Sequence, residues 1–230
     1  MPDHEFDDSA SPIQNWNDYW SKIPALSCAS PVVSQIAAHF RGSLAGKAIL
    51  EIGAGSGRDI VALAKLGAKA HALDKSPVAR ERIAALAQQE GVSIDLYGDD
   101  LRRTPFADDS FDVVYSQGVV EHFRDIAPVI WEQRRIVRSD VGRLIIDVPQ
   151  TYNPYTIVKH ARMLLGTWPP GWETQFSPRD LQRIAKTFHL QLLSTYGWGE
   201  HGPVSGKLLS ILDKNPWTAT CIGAIYAKNA

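Results

Sequence analysis

Three glycines, Gly53, Gly55 and Gly57, punctuate the stretch ILEIGAGSGRDI at residues 49–60. They follow an apolar run and precede a helix-like pattern, the layout in which a nucleotide lies across the backbone of a strand–helix turn. Spacing narrows the chemistry. A dinucleotide fingerprint reads G-x-G-x-x-G/A, and its third small residue lets helix and strand approach closely. Counting from Gly53, that position is Arg58, which cannot supply the approach. No G-K-S/T follows the glycines, so a phosphate-cradling loop is excluded. Asp74 ends the next apolar run, where a carboxylate can accept hydrogen bonds from both ribose hydroxyls. NAD proteins use that position too, so Asp74 alone does not discriminate. The stretch GDDLRRTPFADDSFD at 98–112 places an acidic residue where it can reach the exocyclic amine of an adenine. Pro105, Phe106 and Phe111 anchor that loop.

These residues need a scaffold, and the apolar pattern supplies one. Strands are predicted at 47–52, 68–73, 92–97, 111–116 and 142–148. Helices are predicted over 13–23, 31–41, about 57–66, 78–90 and roughly 121–138. Ser30-Pro31 and Ser76-Pro77 supply caps, and Gly91 a stop. Strand–helix alternation at this spacing means an α/β fold, a doubly wound parallel sheet with crossover helices. The alternation stops after residue 148. Residues 149–177 carry prolines at 149, 154, 169 and 170 and tryptophans at 168 and 172. A helix from Ser177-Pro178 to about 188, a strand near 189–196 and a last strand near 218–227 complete the chain. No clear helix separates the last two strands, which favours antiparallel pairing.

Bulk properties exclude several classes. The chain has 230 residues and a net charge of −1. That length suits one large domain, at 13–230, after a disordered acidic tail at 1–12. Balanced charge argues against a nucleic-acid partner. With no run of 18 apolar residues, no membrane span or membrane partner is expected. The polar N-terminus is the opposite of a secretory signal. Cys28 and Cys221 form no metal or disulfide pattern, which suits a reducing, cytoplasmic setting. Nothing in the sequence sets the oligomeric state.

The chain resembles the class I S-adenosylmethionine-dependent methyltransferases, in particular the bacterial small-molecule group that includes the ubiquinone/menaquinone enzymes. ILEIGAGSGRDIVALAKLGAKAHALDKSP is similar to that family's first and second motifs. GDDLRRTPFADDSFDVVYSQGVVEHF is similar to its third and fourth, and GRLIIDVPQ to its fifth strand. The resemblance implies a Rossmann-like seven-stranded sheet of order 3-2-1-4-5-7-6 with the last strand antiparallel. It implies S-adenosyl-L-methionine as cofactor. Glu51, Gly53 and Gly55 would border its methionine part, Asp74 with neighbouring Lys75 its ribose, and Asp100 with Leu101 its adenine. Asp100 is preferred to Asp99 because it stands five residues before Pro105. Ser116 and Gln117 would face the sulfonium side. Arg58 either pairs with the cofactor carboxylate or is simply solvated.

Methyl transfer is an in-line displacement at an activated carbon, so the protein mainly orients the acceptor and excludes water. A base helps when the acceptor is a hydroxyl or protonated amine. The candidate is His122 in GVVEHF, where the family often has Glu-His near the methyl end; the alternative is that His122 only positions the cofactor or packs the helix start. Glu121 is read as structural. His4, His39, His71, His160, His189 and His201 lack ligand spacing with carboxylates or cysteines, and the aspartate and Asp-Asn pair of metal-dependent catechol-type enzymes are not in place, so no metal is expected. Trp16, Tyr19 and Trp20 recur at helical spacing. The family often uses such a helix, here 13–45, as a lid, with Tyr19 toward the cofactor and Trp20 toward the acceptor; ordinary docking onto the core is the alternative. The 149–177 stretch is read as a substrate cap whose Tyr152, Tyr155, Trp168 and Trp172 wall an apolar or ring-shaped acceptor. Lys159, His160 and Arg162 either meet an anionic group or carrier protein or form a solvated face. The expected function is metal-independent methyl transfer to O, N or C of a small-molecule metabolite. The rivals are a catalytically inactive S-adenosyl ligand-binding regulator or scaffold and an RNA methyltransferase.

Overall fold

The apolar run before the glycines is a strand whose side chains alternate between two cores. The computed structural model describes residues 13–24, 28–168, 173–199 and 213–229. Strand β1 (Ala48–Ile52) sends Ile49 to one face and Leu50 and Ile52 to the other. The central strands β4 (Val113–Gln117) and β5 (Arg143–Pro149) do the same, with Tyr115 and Ile145 on the first face and Val114, Leu144 and Ile146 on the second. Both faces are therefore covered, as a parallel sheet requires. The first is packed by α2 (Pro31–His39), α3 (Arg58–Lys65) and α4 (Pro77–Glu90) through Val32, Ile36, Ile60, Leu63 and Ile83. The second is packed by α5 (Ala127–Ile136) and α7 (Pro178–Thr187) through Ile130, Ile136, Leu181 and Ile184.

Outer strands β2 (Lys69–Leu73), β3 (Ile94–Tyr97), β6 (Leu190–Trp198) and β7 (Cys221–Lys228) complete a seven-stranded sheet of order β3-β2-β1-β4-β5-β7-β6. Neighbours from β3 through β5 are parallel, while β7 runs antiparallel to both β5 and β6. Strand order reverses between β1 and β4, and the crevice beyond their carboxyl ends is where open α/β sheets hold ligands.

Two segments differ from expectation. The single helix over 121–138 is a 3₁₀ turn at Val120–His122 followed, after a break, by α5. Pro128 lies in the first turn of α5, where its missing N–H costs nothing, and Asp125 Oδ1 accepts the Ala127 N–H at 2.9 Å. A proline there could not have sat inside a longer helix. Within 149–177, α6 (Pro154–Leu164) starts on Asn153, whose side chain accepts the Thr156 N–H at 3.1 Å. The chain then returns along β5's end, with Phe176 N–H donating to the Pro149 carbonyl at 2.9 Å.

Helix α1 (Ile13–Lys22) lies against α4. Arg82 of α4 donates to the carbonyls of Trp20 at 2.5 Å and Ile23 at 2.7 Å, satisfying the end of α1. Ser76 Oγ donates to Asn17 Oδ1 at 2.6 Å while accepting the Ala79 N–H as the α4 cap. Among the described residues no helix is long and apolar enough to cross a membrane. The 1–12 tail lies outside the described residues.

Candidate functional site

A cavity of about 740 Å³ opens at the β1/β4 switch point. Its floor is the glycine turn. Gly53 and Gly55 have φ of +67° and +48°, the left-handed region that glycine enters without penalty. A Cβ at Gly53 would strike Val119, and one at Gly55 would strike the indole of Trp20. Trp20, expected on the acceptor side, therefore packs on the glycine turn. The carbonyls of Trp20 and Ile23 are tied to Arg82, and that docking brings the ring down onto Gly55.

Asp74 stands beside this turn. Its Oδ2 accepts the Gly55 N–H at 2.8 Å and its Oδ1 the Ser76 N–H at 2.9 Å. Burial raises its pKa, and the two backbone donors oppose that rise. The carboxylate thus holds the turn, and lone pairs remain for a ligand. Glu51 accepts the Ile60 N–H at 3.2 Å. Burial, with Asp59 nearby, lifts its carboxyl well above the usual range. Arg58 is matched by Asp59 at 3.6 Å, so it is paired within the protein, and it also lines the cavity. At the far end stand Lys75, Asp99, Asp100 and Leu101. Arg102 forks onto Asp100 through Nε at 2.9 Å and a second nitrogen at 2.5 Å, holding that carboxyl below its ordinary value.

Along β4, Gln117 lines the cavity and accepts the Ser30 hydroxyl at 2.8 Å. Ser116 does not line it. Its hydroxyl donates to Gln133 of α5 at 3.3 Å under the sheet, because successive strand residues face opposite sides. The expectation that both face the sulfonium side is corrected for Ser116.

The other end is walled by the 3₁₀ turn, α1 and the segment after β5. His122 meets the Trp16 ring edge-on at 4.8 Å between centroids, and its Nε2 lies 4.0 Å from Glu173 Oε1. Glu173 is buried, ion-paired to Lys159, and accepts the Trp168 indole N–H at 2.9 Å. Lys159 and Arg162 both lie over the Trp168 ring. Lys159 is therefore a buried partner of Glu173, whereas Arg162 and His160 are exposed. Tyr19 and Trp168 line the cavity. Tyr152 does not: it is 54% exposed and stacks on Trp217 at 6.2 Å, outside the cavity, because it precedes α6 instead of lying on its inner face. The Tyr155 side chain and all of Trp172 lie outside the described residues.

Glu173 and Gln175 are not singled out from sequence, Glu121 is read there as structural, and Lys159 as meeting an anionic group or carrier protein or lying on a solvated face. Burial and the nearby Glu173 carboxylate push Glu121's carboxyl well above the ordinary range. The Glu-His pair at 121–122 is the one signal in the sequence. Glu173 and Gln175 reach the wall only because the 173–175 segment runs beside the 3₁₀ turn, Thr174 N–H donating to the Glu121 carbonyl at 2.9 Å.

Comparison with known proteins agrees with this architecture. Residues 50–146 match the family model described as a methyltransferase domain. A ubiquinone biosynthesis O-methyltransferase of Methylobacterium sp. (strain 4-46) is 30% identical over 168 residues, covering 71% of this chain and 67% of that protein. A probable chloroplastic tocopherol O-methyltransferase of Oryza sativa subsp. japonica is 28% identical over 67% of this chain, which spans only 45% of its length. In structure, magnesium protoporphyrin IX methyltransferase from Synechocystis PCC 6803 superposes with a TM-score of 0.67 at 15% identity, covering 99% of this chain and 100% of that one. The last similarity speaks for the fold. The chain belongs to the class I S-adenosylmethionine-dependent methyltransferases, an enzyme family whose methyl donor is S-adenosyl-L-methionine.

Proposed function

We propose that this chain transfers the methyl group of S-adenosylmethionine to a hydroxyl oxygen of a small-molecule acceptor. The observation that carries the reading is one cavity with two unlike ends, a glycine turn with a buried carboxylate at one and His122 with its polar wall at the other. The choice of oxygen rests on the relatives named as O-methyltransferases.

The residues fit the donor. Gly53 and Gly55 supply the positive-φ turn that borders the cavity, and Asp74 has lone pairs left over for the two ribose hydroxyls. Asp100, kept ionised by Arg102, suits the adenine amine, with Leu101 against the ring. Arg58, next to the glycine turn and paired with Asp59, supplies positive charge for the donor's carboxylate. Bound there, the donor supplies a methyl group on a sulfonium, already activated toward displacement. The chain's own work is alignment, water exclusion and proton removal. Trp16, Tyr19 and Trp20 close one side of the cavity and Trp168 another, which lowers water access and orients a flat acceptor. His122 takes the acceptor's proton, and Glu173, 4.0 Å away, stabilises the imidazolium that results.

The test is a turnover assay with S-adenosylmethionine and a panel of hydroxylated and amino-bearing ring compounds. S-adenosylhomocysteine release with a methoxy product by mass spectrometry supports the reading. Methylation confined to nitrogen, or binding of S-adenosylhomocysteine without turnover of any compound, overturns it.

A further inference from the structure

Two buried polar atoms at the His122 end of the cavity lack a hydrogen-bond partner among the described residues, Glu121 Oε2 and Gln175 Oε1. Both side chains line the cavity, and Glu121 is 2% exposed. Buried polar atoms in folded proteins are normally satisfied, so two orphans on one wall point to a ligand group that completes them. The Gln175 amide is oriented by its Nε2, which donates to the Glu173 carbonyl at 3.4 Å and leaves Oε1 a bare acceptor. Thr174, between Glu173 and Gln175, bonds the Glu121 backbone, so the two orphans belong to adjacent strips of chain.

Charge on this wall is already balanced. Glu173 is matched by Lys159, with side-chain exposures of 6% and 5%. An anionic acceptor would lie against the Glu173 carboxylate, and a cationic one against the Lys159 ammonium. Desolvation and the nearby Glu173 also favour the uncharged form of Glu121. A neutral carboxyl donates one hydrogen bond, and a glutamine carbonyl accepts one. A hydroxyl accepts the first while donating the second; an ether cannot donate, and an ammonium cannot accept.

We propose that Glu121 and Gln175 form a subsite for an uncharged hydroxyl of the acceptor, which accepts from the Glu121 side chain and donates to Gln175 Oε1. This rests on the methyl-transfer reading of the same cavity and adds the acceptor's class: neutral and hydroxyl-bearing, as against carboxylate, phosphate or ammonium.

The experiment uses the full chain saturated with S-adenosylhomocysteine and four probes sharing one ring system, 2-naphthol, 2-methoxynaphthalene, 2-naphthoate and 2-naphthylmethylamine. Binding is measured by calorimetry. 2-Naphthol binds at least fivefold more tightly than each of the others. Gln175→Met removes its advantage over 2-methoxynaphthalene while the melting temperature and S-adenosylhomocysteine affinity hold. Glu121→Gln keeps the advantage, because the amide still donates, and Glu121→Met loses it. If the Glu121 variants do not fold, Gln175→Met decides alone. Tightest binding by the amine or the naphthoate, equal binding by naphthol and its methyl ether, no binding by any probe, or an advantage that survives Gln175→Met overturns the subsite. Failure of the wild type to bind S-adenosylhomocysteine is seen before any probe is added and removes the cofactor reading itself, and the subsite with it.

Discussion

Replacing Asp74 with asparagine separates the two jobs of this carboxylate. In the wild type its two oxygens each accept a backbone N–H, from Gly55 at 2.8 Å and Ser76 at 2.9 Å. Asparagine has one carbonyl oxygen, so one of these donors would face an NH₂ group instead. Leaving a buried donor unsatisfied costs about 1–3 kcal/mol. For a chain of this length, each kcal/mol lowers the melting temperature by about 2–4 °C, so the apo protein should melt about 2–12 °C lower. If both ribose hydroxyls donate to the carboxylate, asparagine also loses one hydrogen bond to a charged acceptor, about 1.5–3 kcal/mol. At about 1.4 kcal/mol per decade, S-adenosylhomocysteine should then bind roughly 10–100-fold more weakly. Calorimetric titration gives the affinity and thermal melting the stability. A 2′-deoxy ribose analogue should bind the wild type weakly and lose less on the substitution. A variant that melts lower but binds S-adenosylhomocysteine within twofold of wild type would refute the reasoning: Asp74 would then hold the turn and nothing else.

Three further outcomes are expected. Asp147 is buried, accepts from Tyr196 at 3.0 Å and Trp198 at 2.8 Å, and has its pKa raised by burial from 3.8 to about 7. The folded state binds that proton more tightly than the unfolded chain does, so wild-type stability falls as pH rises from about 4 to about 7 and is level above, by up to about 4 kcal/mol. Denaturant titrations at pH 5 and pH 8 should show Asp147→Asn gaining on wild type at the higher pH; parallel profiles would show that the group titrates normally. His122→Ala should leave S-adenosylhomocysteine affinity near wild type and lower kcat at least about a hundredfold, with the loss shrinking as rising pH ionises the acceptor unaided. Equal loss of cofactor affinity would instead make His122 a packing partner of Trp16. Trp168→Ala removes a ring of the wall and the indole donor to Glu173, and should raise the acceptor's KM while cofactor affinity stays within a few-fold. A fall in melting temperature with uniform loss over all acceptors would show that Trp168 serves stability alone.

The sequence by itself determined the sheet and the glycine-turn end of the cavity. Period-two and continuous apolar runs mark strands because a buried strand must present apolar side chains to both layers, as Ile49 and Leu50 do. The strand-joining turns carry local codes: glycines where φ is positive, Ser76-Pro77 where α4 must satisfy its first N–H groups, and Asp74 two residues before that cap. These are short-range constraints, and short-range constraints are written in neighbouring residues. What only the tertiary structure decided depends on which distant segments meet. The helix expected over 121–138 breaks at the Pro128 turn. The side of β4 taken by Ser116 follows from the register of Gln117 against the crevice. Tyr152 turns outward onto Trp217, more than sixty residues further along the chain. Trp20 settles on Gly55 because Arg82, on another helix, fixes the end of α1. The wall beside His122 is the clearest case: Glu121, Lys159, Glu173 and Gln175 come from the 3₁₀ turn, α6 and the returning segment, and no spacing between them encodes the meeting. Only the closing of the chain over β5 brings these side chains within reach of one another and strips them of water, and that burial raises the Glu121 carboxyl's pKa.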